Sequence, residues 1–135
     1  MSETQQTAMA RETAEIPAVA ERLLARDDLF AAYRKGTDFI QQYVFPGGML
    51  PSEDRLAPVV SKAGLSWQSV ERFGLDYAAT LKLWDERFQA SWGEISKLSG
   101  FDERFRRLWH FYLAYCEAGF RSRRTDVIQL SLSRP

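Results

Sequence analysis

The sequence predicts a mostly helical α/β chain whose two strands form an antiparallel sheet edge. Two long patterns predict the helices. Apolar residues recur at helical spacing over 75–98 (Tyr77, Leu81, Trp84, Phe88, Ile95) and over 101–121 (Phe101, Phe105, Leu108, Tyr112, Cys116, Phe120). Two stretches of apolar and polar residues in alternation, 65–73 and 126–133, predict the strands. Two strands alone make no stable sheet, so they either pair beneath the helices or edge a larger sheet.

The chain has 135 residues, 45% hydrophobic and 13% aromatic, enough for one domain with a buried core. Its 18 Lys and Arg balance 18 Asp and Glu, so bulk charge gives no reason to expect nucleic acid as a partner. Cys116 is the one cysteine and His110 the one histidine, which excludes an internal disulfide and a Cys- or His-rich metal cage. No run approaches the about 18 apolar residues of a membrane span. The start lacks the charged-then-apolar pattern of a secretory signal. A cytoplasmic location follows as the expectation.

Residues 1–14 are polar and read as a frayed tail. Ile16, Val19, Leu23 and Leu24 fit a short amphipathic helix, so residues 1–25 are expected to be a tail and short helix of no recognised type. Asp27 and Asp28 place acids at the positive end of a helix carrying Leu29, Phe30 and Tyr33. Gly36 breaks it, and Thr37 or Asp38 can cap a second short helix over 39–45. Pro46-Gly47-Gly48 then forces a sharp turn of defined shape. Ser52, followed by Glu53 and Asp54, reads as the cap of a helix with Leu56, Val59 and Val60 on one face, kinked or shortened at Pro58. Lys62-Ala63-Gly64 ends it. In the strand at 65–73 the alternation slips between Trp67 and Val70, as at a bulge or edge. The helices over 75–98 and 101–121 are expected to form an antiparallel pair.

Unaided, the residues offer little chemistry. There is no Gly-x-Gly-x-x-Gly loop, no phosphate-binding loop and no nucleophile elbow. Cys116 falls on an apolar stripe and reads as a buried, inert thiol; His110 reads as exposed or interfacial. Asp85-Glu86 and Asp102-Glu103 read as solvated faces, and Arg121, Arg123 and Arg124 as a helix C-terminal charge complement or a phosphate contact. The aromatics are either core or the wall of an acyl-chain tunnel.

Tyr43-Val-Phe-Pro-Gly-Gly-Met-Leu-Pro-Ser52 resembles the signature of the cyclopropane-fatty-acyl-phospholipid synthases, relatives of the mycolic acid cyclopropane synthases. Further blocks resemble that family in its own order: Arg26 to Ala32; Glu71-Arg72-Phe73-Gly74-Leu75-Asp76-Tyr77-Ala78 with Trp84; Glu86-Arg87-Phe88; Phe105-Arg106-Arg107; Cys116-Glu117-Ala118-Gly119-Phe120-Arg121; and Ile128-Gln129-Leu130. The resemblance covers residues 26–134. It implies the C-terminal part of a methyltransferase-type fold and an S-adenosylmethionine-dependent methylene transfer to cis double bonds of phospholipid acyl chains. It implies that Tyr77 contacts a bound bicarbonate. It also implies that Phe39, Tyr43, Phe45, Gly47, Met49, Leu50 and Trp84 border the acyl chain.

The family's glycine-rich cofactor loop and the other bicarbonate-site residues lie in a part that this sequence does not match. The expectation is therefore a partial synthase with no cofactor in this chain alone, inactive by itself. The alternative is a non-catalytic lipid-binding or partner subunit. The implied partners are phospholipid acyl chains at the membrane surface, with peripheral attachment at its inner face, and a cofactor-binding half or full-length synthase. An unrelated helical interaction module is disfavoured by the number and order of the blocks.

Overall fold

The computed structural model describes residues 18–134, with side chains from Leu23 onward. The expected tail at 1–14 lies outside the described residues. Strand β1 (Ala18–Ala25) opens the described chain. Helix α1 (Asp27–Lys35), a π-helical turn (Ile40–Val44) and helix α2 (Glu53–Lys62) follow. Strand β2 (Ser66–Arg72), helices α3 (Gly74–Ala90), α4 (Trp92–Ile95) and α5 (Glu103–Arg121), and strand β3 (Thr125–Ser133) complete it.

Among the described residues the strands form one three-stranded antiparallel sheet in the order β1-β3-β2. The expected strands pair with each other, and a third that sequence reasoning missed lies beside them. Residues 18–25 are strand where a short helix is expected. Pairing decides this: every residue from Ala18, opposite Leu132, to Ala25, opposite Thr125, is matched to β3. Leu23 and Leu24 then point to opposite faces, Leu24 buried and Leu23 half-exposed, which is the period of a strand. The spacing of four apolar residues cannot compete with a full ladder of backbone bonds.

The expected irregularity in β2 is present. Trp67 faces Leu132 and Ser69 faces Ser131, so Gln68 is extra at a bulge, and its side chain reaches Ser133 Oγ at 2.8 Å. Along β3, Ile128, Leu130 and Leu132 point to one face and pack with Leu24 and with Val60 of α2. Val127 points to the other and joins Ala78, Leu81, Leu113 and Phe120 of α3 and α5. The strand is thus sandwiched between two clusters, and Ile128 is fully buried.

Helices α3 and α5 run antiparallel, as expected. Arg106 bonds Gln89, His110 bonds Asp85, and Phe120 stacks on Tyr77, so one numbering rises as the other falls. The helical pattern over 75–98 is interrupted: α3 stops at Ala90 and α4 is a short separate turn containing Gly93. Asp102, expected on a solvated face, caps α5 by accepting from Phe105 N–H at 2.8 Å. Helix α2 continues through Pro58, which lies on its exposed side. There the carbonyl that loses its helical partner can bond to water. Ser52 stands at the N-cap of α2 but its side chain makes no cap bond. Instead Asp27 of α1 accepts from Asp54 N–H at 3.0 Å, so a distant carboxylate caps the helix. Among the described residues no helix is long and apolar enough to cross a membrane.

Replacing Ile128 by Ala removes the centre of one cluster and is expected to destabilise the fold by about 2–5 kcal/mol. Val59→Ala, on the exposed face of α2, is expected to change stability by under about 0.5 kcal/mol. Urea denaturation midpoints of the two variants check this; equal shifts would contradict the assignment of the core.

Candidate functional site

Strands β1 and β2 are both antiparallel to β3, so their carboxyl ends lie at the same end of the sheet. Open α/β sheets bind ligands at that end. Helix α1 leaves from β1 there, α3 leaves from β2, and α5 returns there to start β3. The stretch 38–52 lies across this roof and is tied down at both ends. At the start, Asp38 accepts from Gln41 N–H at 2.8 Å while Gln41 Oε1 accepts from Asp38 N–H at 3.1 Å, a reciprocal capping box. At the far end, Leu50 N–H donates to Tyr33 Oη at 3.1 Å, and Ala25 N–H donates to the Pro51 carbonyl at 2.9 Å.

Between these anchors the chain closes as a π-helical turn, with Phe45 N–H donating to the Ile40 carbonyl at 2.7 Å. A β-turn follows. Gly48 N–H donates to the Phe45 carbonyl at 2.9 Å, Pro46 occupies the second position and Gly47, at φ 77°, the third. Proline followed by a residue of positive φ is the type II arrangement, which explains the residue order. The turn projects Phe45 against Tyr112 of α5, ring centroids 6.2 Å apart and edge to face.

Tyr77, in the first turn of α3, packs against Trp84 at 6.3 Å and Phe120 at 5.2 Å. Its phenol also lies close enough to that of Tyr112 to influence it. Burial, and then the adjoining Cys116 thiol, push the Tyr112 hydroxyl up to about 12, and burial pushes the Cys116 thiol up to about 11. Both groups stay protonated at neutral pH. The wall formed by Phe45, Tyr112, Tyr77 and Trp84 is therefore apolar, uncharged and carries two phenolic donors. It is open rather than a closed tunnel: Phe45 is 57% and Trp84 47% exposed.

The structure divides the expected acyl-chain residues. Phe45 and Trp84 join the Tyr77 wall through Tyr112. Phe39 and Tyr43 lie further round α5, where Phe39 packs on Phe111 at 4.6 Å and on Tyr115 at 5.9 Å. Gly47 and Met49 are exposed at the turn, and Leu50 is half-buried beside its anchor. Tyr112 and Cys116 were not among the expected site residues. Their i,i+4 spacing on the stripe of α5 was visible, but nothing in the sequence says that Tyr77 lies opposite.

A second feature of this end is polar. A cleft of about 240 Å³ is lined by Arg26, Arg72, Arg123, Asp27, Glu53 and Asp126 among others. Arg72 pairs with Glu53 and lies 3.6 Å from Asp126, and Asp126 accepts from the N–H groups of Gly74 and Val127. With three cations against three anions it acts as a clamp holding β2, β3 and α2 together. Among the described residues no group of His, Cys, Asp and Glu is placed to hold a metal. His110, expected to be exposed, is half-exposed and paired with Asp85 at 2.8 Å, so Asp85 belongs to a helix–helix contact rather than to a solvated face.

The sequence pattern of the family described as mycolic acid cyclopropane synthetase matches residues 5–130. The chain belongs to that family. This match begins ahead of residue 26, where the visible blocks start. Among curated relatives, the chain is 44% identical over 104 residues to the tuberculostearic acid methyltransferase UfaA1 of Mycobacterium tuberculosis, covering 76% of this chain and 24% of that protein. It is 36% identical over 125 residues to the cyclopropane-fatty-acyl-phospholipid synthase of Escherichia coli, covering 87% of this chain and 32% of that one. The solved mycolic acid cyclopropane synthase CmaA1, complexed with SAH and CTAB, superposes with a TM-score of 0.76 at 25% identity, over 98% of this chain and 51% of its own. This cyclopropane synthetase family chain thus has the fold of part of a methyltransferase-type synthase and spans between a quarter and about half of these relatives.

The raised Cys116 and Tyr112 groups carry a stability consequence. Unfolded, a thiol and a phenol ionise near about 8.5 and 10; folded, they hold their protons to higher pH. Their contribution is therefore complete below about pH 8.5 and is lost as pH rises through the folded values of about 11 and about 12. The denaturation midpoint is expected to be flat from about pH 7 to 8 and to fall above about pH 9, less steeply in Cys116→Ala. A midpoint whose high-pH slope Cys116→Ala leaves unchanged would remove the thiol from the account.

Proposed function

We propose that this chain supplies the acyl-chain side of an S-adenosylmethionine-dependent synthase that modifies cis double bonds of phospholipid acyl chains. The observation that carries the reading is the open aromatic wall of Phe45, Tyr77, Tyr112 and Trp84 at the carboxyl ends of β1 and β2. An acyl chain needs long apolar walls and few donors, and aromatic faces also stabilise a nearby cation. The relatives' names support the substrate class, and CTAB in the CmaA1 complex is consistent with a site for a long alkyl chain. Tyr77 is the residue proposed to contact bicarbonate, because its hydroxyl can donate while its ring stays in the wall. Phe39, Tyr43, Gly47, Met49 and Leu50 are proposed to border the chain where it leaves the wall.

The residues present do not fit S-adenosylmethionine. No glycine-rich turn follows a strand; β1 leads into Arg26, Asp27 and Asp28. The polar cleft at this end, about 240 Å³, lies below the roughly 300–1,000 Å³ of ligand pockets and is crossed by the ion pairs of Arg72. The cofactor is therefore assigned to polypeptide other than these residues. Strand β1 pairs on one side only, with β3, so its other edge is where further strands would add. That free edge also favours a second reading, in which the chain is a non-catalytic lipid-binding subunit docked through β1 on a full synthase.

Calorimetry with the purified 135-residue chain separates these points. No heat is expected from S-adenosylmethionine up to millimolar concentration; micromolar binding would overturn the assignment of the cofactor elsewhere. Oleate below its micelle concentration is expected to bind and to quench tryptophan fluorescence. Phe45→Ala is expected to weaken that binding by about tenfold, the loss of a large part of one aromatic contact. Oleate binding unaffected by Phe45→Ala would place the acyl chain elsewhere.

A further inference from the structure

Phe39, Tyr43, Phe111 and Tyr115 form a second aromatic group, on the outer side of α5 and away from the Tyr77 wall. The rings are contiguous: Phe39 lies 5.6 Å from Tyr43, 4.6 Å from Phe111 and 5.9 Å from Tyr115, and Phe111 lies 6.1 Å from Tyr115. They are not core. Tyr43 is 59%, Phe111 51% and Tyr115 39% exposed. Contiguous exposed rings on a soluble chain mark an interaction surface.

The charges around this group indicate what covers it. Arg107 precedes Phe111 by one helical turn on the same face, and Arg104 precedes Arg107 by another. At the other end, Arg124 lies close enough to act on the Tyr115 hydroxyl, with Asp38 as the acid there. Arg104, Arg107 and Arg124 take part in no ion pair among the described residues, whereas Arg106 and Arg121 on the same helix are paired with Glu103 and Glu117. The chain as a whole is neutral, so this is a local asymmetry and not a bulk excess of positive charge. Rings that end in hydroxyls, standing among free arginines, suit a boundary that is apolar beneath and anionic at its surface. Single-stranded nucleic acid fits less well. It needs ring faces open for base stacking, and here Phe39 and Phe111 meet edge to face at 77°.

We infer that the outer face of α5 docks this chain on an anionic lipid bilayer, with Phe39, Tyr43, Phe111 and Tyr115 at the headgroup boundary and Arg104, Arg107 and Arg124 on the anionic headgroups. This surface is separate from the Tyr77 wall, and its assignment stands whether or not the wall holds an acyl chain.

Vesicle co-sedimentation of the purified 135-residue chain tests it. Binding is expected to vesicles of phosphatidylcholine with about 30% phosphatidylglycerol, with less to phosphatidylcholine alone, and to weaken between about 0.1 and 0.5 M salt. Arg104→Gln/Arg107→Gln is expected to lower the partition coefficient by at least about tenfold, and Phe111→Ser by a similar factor. Both variants are checked for unchanged circular dichroism; the double variant changes only exposed side chains and keeps the test open if Phe111→Ser unfolds. Tyr77→Phe, which alters only the proposed acyl site, is expected to bind vesicles like the parent. Three results would each overturn the proposal: no binding to anionic vesicles, binding that the double variant leaves unchanged, or self-association through this face abolished by Phe111→Ser. Binding of a single-stranded oligonucleotide that competes with the vesicles would do the same.

Discussion

The fold depends on the burial of one strand between two unlike partners. Along β3 successive side chains point to opposite faces. Ile128, Leu130 and Leu132 go toward α2 and Val127 toward α3 and α5, and Val127, Ile128 and Leu130 are each at most 1% exposed. Both backbone edges of β3 are also occupied, by β1 on one side and β2 on the other. The neighbours lie about a hundred and about fifty residues away in sequence, so the sheet forms only when distant parts of the chain meet. No other element is held on so many sides.

That arrangement sets where chemistry can occur. Because β1 and β2 share a direction, every connection that leaves them emerges at one end, and the roof over this end is built from α1, α3, α5 and the 38–52 stretch. The stretch is short of regular hydrogen bonds, and its shape comes from discrete devices. These are a reciprocal cap at Asp38 and Gln41, one wide helical turn, a proline-glycine turn, and a backbone bond to Tyr33. Each device is local, yet together they bring Phe45 against Tyr112 and so extend the Tyr77 wall beyond the two helices.

The aromatic residues show why composition alone is ambiguous. Phe120 is core, Tyr77 and Tyr112 are half-buried in a wall, and Phe111 and Tyr115 face outward, although four of these five lie on one helix. A helix of 19 residues presents different faces every few positions, and its neighbours decide which face is sealed. The arginines divide in the same way. Arg72 is consumed by a clamp to Glu53 and Asp126 and Arg121 by Glu117, while Arg104 and Arg107 are left free.

Much was legible in the sequence because it rests on short-range physics. The two long helices, the strand at the end, the bulge near Gln68, the capping at Asp38 and the tight turn at Pro46-Gly47-Gly48 all follow from spacing and from residues with restricted backbones. The ordered motif blocks carried the family in the same way, since they are contiguous residues. What was misread depended on contacts far apart in sequence. Residues 18–25 became a strand because β3 offered a complete ladder, and Asp27 rather than the Ser52 side chain caps α2 because α1 folds beside it. Tyr112 and Cys116 joined the Tyr77 wall because α3 and α5 run antiparallel in one particular register. Residue type and local spacing thus determined the elements and the family, and the tertiary packing alone decided which aromatic faces were sealed, shared or left exposed.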